Sequence, residues 1–134
     1  EELSLVKKHL QENKIYSYSQ LEQNEVLEYD FNKNGKKEKV ILASNVNEET
    51  ADEKLFVIVI SVINNNSSVL HLEIFNQNEN YEVPAYRIKG IINLMNNKED
   101  YLVLLKGYFS EVGTPKNYIY KLTKNNFENI VESK

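Results

Sequence analysis

The stretch Lys54-Leu55-Phe56-Val57-Ile58-Val59-Ile60-Ser61-Val62-Ile63, then Asn64-Asn65-Asn66-Ser67, then Val69-Leu70-His71-Leu72-Glu73-Ile74-Phe75 holds the pattern on which the fold turns. Leu55 to Ile60 is apolar at every position. A strand of that kind has to be covered on both faces, so it belongs in the middle of a sheet beneath the N-terminal helix or a second sheet layer. Asn tolerates positive φ, so the polar stretch that follows reads as a hairpin loop. Successive side chains of a strand point to opposite sides, which puts Leu70, Leu72 and Ile74 on one face and His71 and Glu73 on the other.

Outward from this hairpin, runs of Val, Ile, Leu, Phe and Tyr alternate with Asn-rich turns, as in an antiparallel meander. Strands are expected at 26–31, 39–44, 54–63, 69–75, 83–94, 101–109 and 117–122, with a further candidate at 127–131. Before them, Leu3, Val6 and Leu10 fall on one helical face, and Glu1 and Glu2 sit near the positive end of the helix dipole, so residues 3–12 read as an amphipathic helix. Ser19-Gln20-Leu21-Glu22 has capping-box spacing and fits either a single helical turn or a loop. The fold class is therefore α+β, mostly β: an N-terminal helix followed by a largely antiparallel sheet of about seven strands, in a single domain spanning 1–134.

The chain has 134 residues, 41% of them apolar, and a length of this order buries roughly 68% of the unfolded surface without disulfide staples. It has no Cys, which excludes thiolate zinc sites and thiol nucleophiles. Sixteen Lys plus Arg against 20 Asp plus Glu give a net charge of −4, and Arg87 is the single arginine. That balance argues against nucleic acid as a partner. No apolar run approaches the roughly 20 residues of a transmembrane segment. The sequence starts at Glu1 without Met, which is compatible with a removed export signal or lipidated N-terminus.

One loop has chemistry in it. In Asp30-Phe31-Asn32-Lys33-Asn34-Gly35-Lys36-Lys37-Glu38, oxygen-bearing side chains stand at relative positions 1, 3, 5 and 9, with a Gly at 6. Calcium takes about six to eight converging oxygens, and Asp30, Asn32, Asn34 and Glu38, with Lys36 through its backbone carbonyl, have the alternation that supplies them. It is not an EF-hand, because position 12 is Ile41. The same residues have a metal-free reading, in which Asp30 and Asn32 accept turn amides and Gly35 adopts a left-handed conformation.

With Val40-Ile41-Leu42 following directly, this segment resembles the FG-GAP or VCBS-type repeat of bacterial surface proteins and integrin-like propellers, in which D-x-D-x-D-G-x-x-D/E enters a strand. Glu99-Asp100-Tyr101-Leu102-Val103-Leu104 is a plausible counterpart of Lys37-Glu38-Lys39-Val40-Ile41-Leu42, although it lacks the acidic-glycine core. The resemblance implies two divergent repeat-like halves, 26–92 and 93–134, after a helical segment 1–25. It also implies an exported, extracytoplasmic protein, lipid-anchored through a removed N-terminus or otherwise surface-associated. The cofactor is then none or weakly bound calcium, since Asn32 and Asn34 replace aspartates and Lys33, Lys36, Lys37 and Lys39 crowd the loop. Two units are too few to close a propeller, which needs about four blades.

No catalytic constellation stands out. His9 and His71 read as surface or boundary residues, and there is no nucleophile elbow, phosphate loop or dinucleotide fingerprint. Tyr86, Tyr101, Tyr108, Tyr118 and Tyr120 are candidates for an aromatic surface that binds a protein or glycan, and equally are ordinary strand residues. The leading functional expectation is a non-catalytic binding or surface-associated module. A small inhibitor or immunity-type protein is the alternative, and an enzyme the third.

Overall fold

The computed structural model describes residues 2–15, 22–31, 33–44, 55–75, 84–92, 100–108, 116–123 and 126–132. One helix, α1 (Glu2–Glu12), precedes eight strands: β1 (Glu22–Tyr29), β2 (Glu38–Ser44), β3 (Leu55–Ile63), β4 (Asn66–Phe75), β5 (Pro84–Ile92), β6 (Tyr101–Tyr108), β7 (Lys116–Thr123) and β8 (Asn126–Glu132). All pairings are antiparallel between chain neighbours, and they form two four-stranded sheets, β1-β2-β3-β4 and β5-β6-β7-β8.

The apolar run at 55–60 explains the layering. Val57 and Val59 face the second sheet in a core shared with Val40, Leu42, Leu102, Leu104, Tyr118 and Phe127. Phe56, Ile58 and Ile60 face the other way and pack with Val6, Leu10 and Ile15. The expected helix cover and sheet cover are thus both present, one on each face of β3, and the order of layers is helix, first sheet, second sheet. None of the described helices is long and apolar enough to cross a membrane.

Local chemistry fixes the element ends. Lys14 takes a left-handed φ of 59°, its N–H donates to Gln11 O at 3.0 Å, and the Ile15 N–H donates to Leu10 O at 2.8 Å. This is a Schellman cap, with Leu10 and Ile15 meeting in the core below the helix. Between β3 and β4 the loop is just Asn64-Asn65, both at positive φ (52° and 65°), the two-residue hairpin geometry that suits strand twist.

The expected class holds: a helix followed by antiparallel strands, mostly β, and among the described residues the strands number eight and divide between two sheets. The register revises several finer expectations. β5 hydrogen-bonds to β6, so the chain passes from one sheet to the other between Phe75 and Pro84, and Pro84–Ile92 belongs with the second half. Glu22 already belongs to β1, so no helical turn opens there; Ser19 lies outside the described residues. A bulge in β4 pairs Val59 with His71 and Ile60 with Val69, which leaves Leu70 as the extra residue. One extra residue reverses the faces. Leu70 therefore packs against the inter-sheet core, and Leu72 packs on the helix side.

The two segments taken as counterparts are topologically equivalent. Residues 38–44 and 101–108 are each the second strand of a four-stranded meander.

Candidate functional site

The turn ahead of β2 is closed by its own side chains. Asp30 Oδ1 accepts the Asn34 N–H at 3.1 Å, Asp30 Oδ2 accepts the Gly35 N–H at 2.7 Å, and Asn34 Oδ1 accepts the Lys36 N–H at 2.9 Å. Glu38, only 3% exposed, turns inward and accepts the Phe31 N–H at 2.8 Å. Gly35 has φ +90°, as a left-handed turn position requires. These are the Asx-type bonds of the metal-free reading. Asp30, Asn34 and Glu38, three of the residues the calcium reading uses, each have a side-chain oxygen that accepts a backbone amide. Asn32 lies outside the described residues.

Lys33, from the same turn, reaches Asp100, the residue just ahead of β6 in the second sheet. Its Nζ donates to Tyr29 Oη at 2.7 Å, pairs with Asp100 Oδ2, and lies 4.6 Å from the Tyr29 ring centroid. Tyr29 Oη donates to the same Asp100 oxygen. The hydrogen bond to Asp100, and then that to Tyr29, holds the Lys33 ammonium above its ordinary pKa. The turn ahead of β2 is thereby joined to the residue that precedes β6.

A second polar cluster lies between the sheets. The Tyr86 hydroxyl (β5) donates to Glu73 Oε1 (β4) at 2.7 Å, and Lys106 Nζ (β6) donates to the same oxygen at 2.8 Å. His71 Nε2 is 3.0 Å from the Tyr86 hydroxyl. That hydroxyl has a single proton, given to Glu73, so the His71 ring is the donor in its contact. The His71 ring lies 5.1 Å from the ring of Tyr86 and 5.4 Å from that of Tyr118. Burial, reinforced by the bond to Glu73, pushes the Tyr86 phenol far above its usual range. Burial also acts to raise Glu73, but the hydrogen bonds from Lys106 and Tyr86 outweigh it and its pKa is lowered.

This cluster contains a histidine, a carboxylate, a phenol and an amine, the group types of acid–base chemistry, yet they are directed at one another. Only the alternation of His71 and Glu73 was visible in the sequence. Tyr86 and Lys106 come from other strands, and their approach depends on the β4 bulge and the packing of the sheets. His9 is likewise interior, with Nε2 2.8 Å from Ser67 Oγ. Both histidines read as surface or boundary residues are therefore placed in packed, hydrogen-bonded positions.

Tyr86, Tyr101, Tyr118 and Tyr120 are all buried, at 4–6% exposure, so these rings do not make a solvent-facing aromatic platform. They are strand residues used for packing, and the side chain of Tyr108 lies outside the described residues.

Open concavity is found elsewhere. Leu102 and Leu104 point into the inter-sheet core, so Val103 points to the outer face of the second sheet. There a hollow of about 460 Å³ is lined by Lys89, Gly90, Ile91, Ile92, Val103, Asn117 and Ile119. Its shape comes from a bulge: Ile88 pairs with Leu104 and Gly90 with Val103, which leaves Lys89 as the extra residue. Gly90 stands at φ +143°, and a Cβ built on it meets nothing within 4 Å, so the missing side chain adds to the open space. A separate cleft of about 490 Å³ lies between the ends of the β1–β2 and β3–β4 turns. No protein-family model, no curated protein and no solved structure matches the chain.

Proposed function

We propose that this chain is a non-catalytic binding module whose ligand face is the outer side of the second sheet. The observation that carries the reading is the bulge-formed hollow at Gly90, Val103 and Ile119, whose volume falls within the range of about 300–1,000 Å³ usual for small-molecule sites. Its lining is predominantly apolar, with an ammonium at Lys89 and an amide at Asn117 to orient a polar end. The inter-sheet cluster supports the same reading, because Tyr86, Glu73 and Lys106 already use their polar atoms on each other. The ligand is a compact apolar group, free or presented on a protein or glycan. Export and surface association enter this proposal through the resemblance of residues 30–42 alone.

The test is titration with a neutral apolar fluorophore, N-phenyl-1-naphthylamine, against the wild type and Ile119→Lys. The wild type is expected to show saturable fluorescence enhancement, and Ile119→Lys to lose it while keeping the wild-type circular dichroism spectrum. Equal titrations for the two folded proteins overturn the reading.

A further inference from the structure

The turn that resembles a calcium loop has the opposite electrostatic character once its side chains are placed. Residues 30–39 contain four lysines and two acids, Asp30 and Glu38, in a chain whose net charge is −4, and Asp30 is bonded to the Asn34 and Gly35 amides. Glu38 is buried and bonded to the Phe31 amide, so its carboxylate faces away from solvent. Lys33 is drawn off to Asp100. Lys39 is held by Glu2 at 3.1 Å and Glu28 at 3.6 Å. Lys36 and Lys37 are exposed, and among the described residues neither ammonium makes an ion pair. Both line the 490 Å³ cleft beside the amide-bonded Glu38 and the paired Lys39, and its opposite wall is Val62 with the exposed side chains of Asn64 and Asn65.

We propose that this cleft is an anion site, taking a phosphate group carried on a small polar molecule. Two uncompensated ammonium groups on one wall and two amide-bearing turn residues on the other provide hydrogen-bond donors to a tetrahedral oxyanion. The walls are held in place independently of any ligand: one by the Asp30, Asn34 and Glu38 bonds, the other by the left-handed Asn64-Asn65 hairpin. The cleft's volume exceeds that of a phosphate group and leaves room for the molecule bearing it. Lysines presented to solvent give weak attraction, so dissociation constants on the order of 1–10 mM are expected for inorganic phosphate. The site is separate from the hollow on the second sheet, and the two proposals fail independently.

The experiment is a ¹H–¹⁵N NMR titration of the full chain with inorganic phosphate, glucose 6-phosphate and glucose, each at constant ionic strength set with sodium chloride. Wild-type amides at residues 36, 37, 39, 64 and 65 are expected to shift saturably with both phosphates and to ignore glucose. Tighter binding of glucose 6-phosphate supports a carried phosphate group, whereas tighter or equal binding of inorganic phosphate overturns that part and leaves a free-anion site. The double variant Lys36→Gln/Lys37→Gln should bind at least about ten-fold more weakly, and Lys8→Gln, at an exposed position on α1, should bind as the wild type does. Shifts that do not saturate, or that persist unchanged in the double variant, overturn the anion site altogether.

Discussion

The two sheets share one topology and differ in what covers them. The first is enclosed: β3 has Phe56, Ile58 and Ile60 against α1 and Val57 and Val59 against the second sheet, all at or near zero exposure. The second packs one face, through Leu102, Leu104, Tyr118 and Tyr120, while its outer face has the hollow at Val103 and Ile119. The same four-stranded meander thus has a strand packed on both faces in one half and, in the other, an outer face where buried Val103 borders a hollow. A bulge works differently in each setting. In β4 it turns Leu70 inward and fits a strand between two layers; in β5 it leaves Lys89 and Gly90 around an open space.

The comparison breaks first, if it breaks, at the core. Phe56→Ala in the enclosed sheet should cost about 3–5 kcal/mol of unfolding free energy in urea denaturation. Leu102→Ala should approach that loss, and Ile119→Ala, which faces the hollow, should cost less than half as much as Leu102→Ala. Equal losses at 102 and 119 would mean the outer face is as tightly packed as the inner. Glu38→Ala leaves the buried Phe31 N–H without its acceptor, and should cost about 1–3 kcal/mol by the same measurement.

Next in size is the inter-sheet cluster, the polar seam where the two halves meet. Tyr86→Phe should cost about 0.5–2 kcal/mol, since it removes the hydroxyl shared by His71 and Glu73. The folded pKa of Glu73 lies below its ordinary value of 4.5, so its stabilisation is present above that pH and is lost as pH falls through the lowered folded value. Unfolding curves of Glu73→Gln should accordingly show a shallower loss of stability below about pH 4.5 than the wild type. The smallest effect expected is none: millimolar calcium should leave the melting temperature unchanged, because Asp30, Asn34 and Glu38 already bind amides. A calcium-dependent rise that Asp30→Ala removes would contradict that assignment.

Much of the first sheet was legible because its pattern is local. An unbroken apolar run from 55 to 60 demands cover on both sides, and Asn64-Asn65 chooses its own turn. The helix likewise followed from the spacing of Leu3, Val6 and Leu10. What was not legible depends on single-residue insertions and on partners distant in sequence. Strict alternation put Leu70 with Leu72, and the bulge separated them. No local signal showed that β5 changes sheets, since an antiparallel strand of this composition pairs equally well with β4 or β6. The tyrosines were ambiguous because a strand tyrosine suits a packed seam as well as an exposed face, and at 86, 101, 118 and 120 packing prevailed. The Asp30–Glu38 spacing allowed both a calcium loop and a turn closed on its own amides; the Asn34 and Gly35 N–H bonds to Asp30 are those of the second reading, and the bond from Phe31 N–H to Glu38 was in neither.

The most direct test of the division between the inter-sheet seam and the outer hollow is a single set of binding isotherms for N-phenyl-1-naphthylamine, measured on the wild type, Tyr86→Phe and Ile119→Lys. The account predicts that Tyr86→Phe binds as the wild type does while Ile119→Lys loses binding. Loss in Tyr86→Phe with retention in Ile119→Lys would move the site to the seam between the sheets and contradict it.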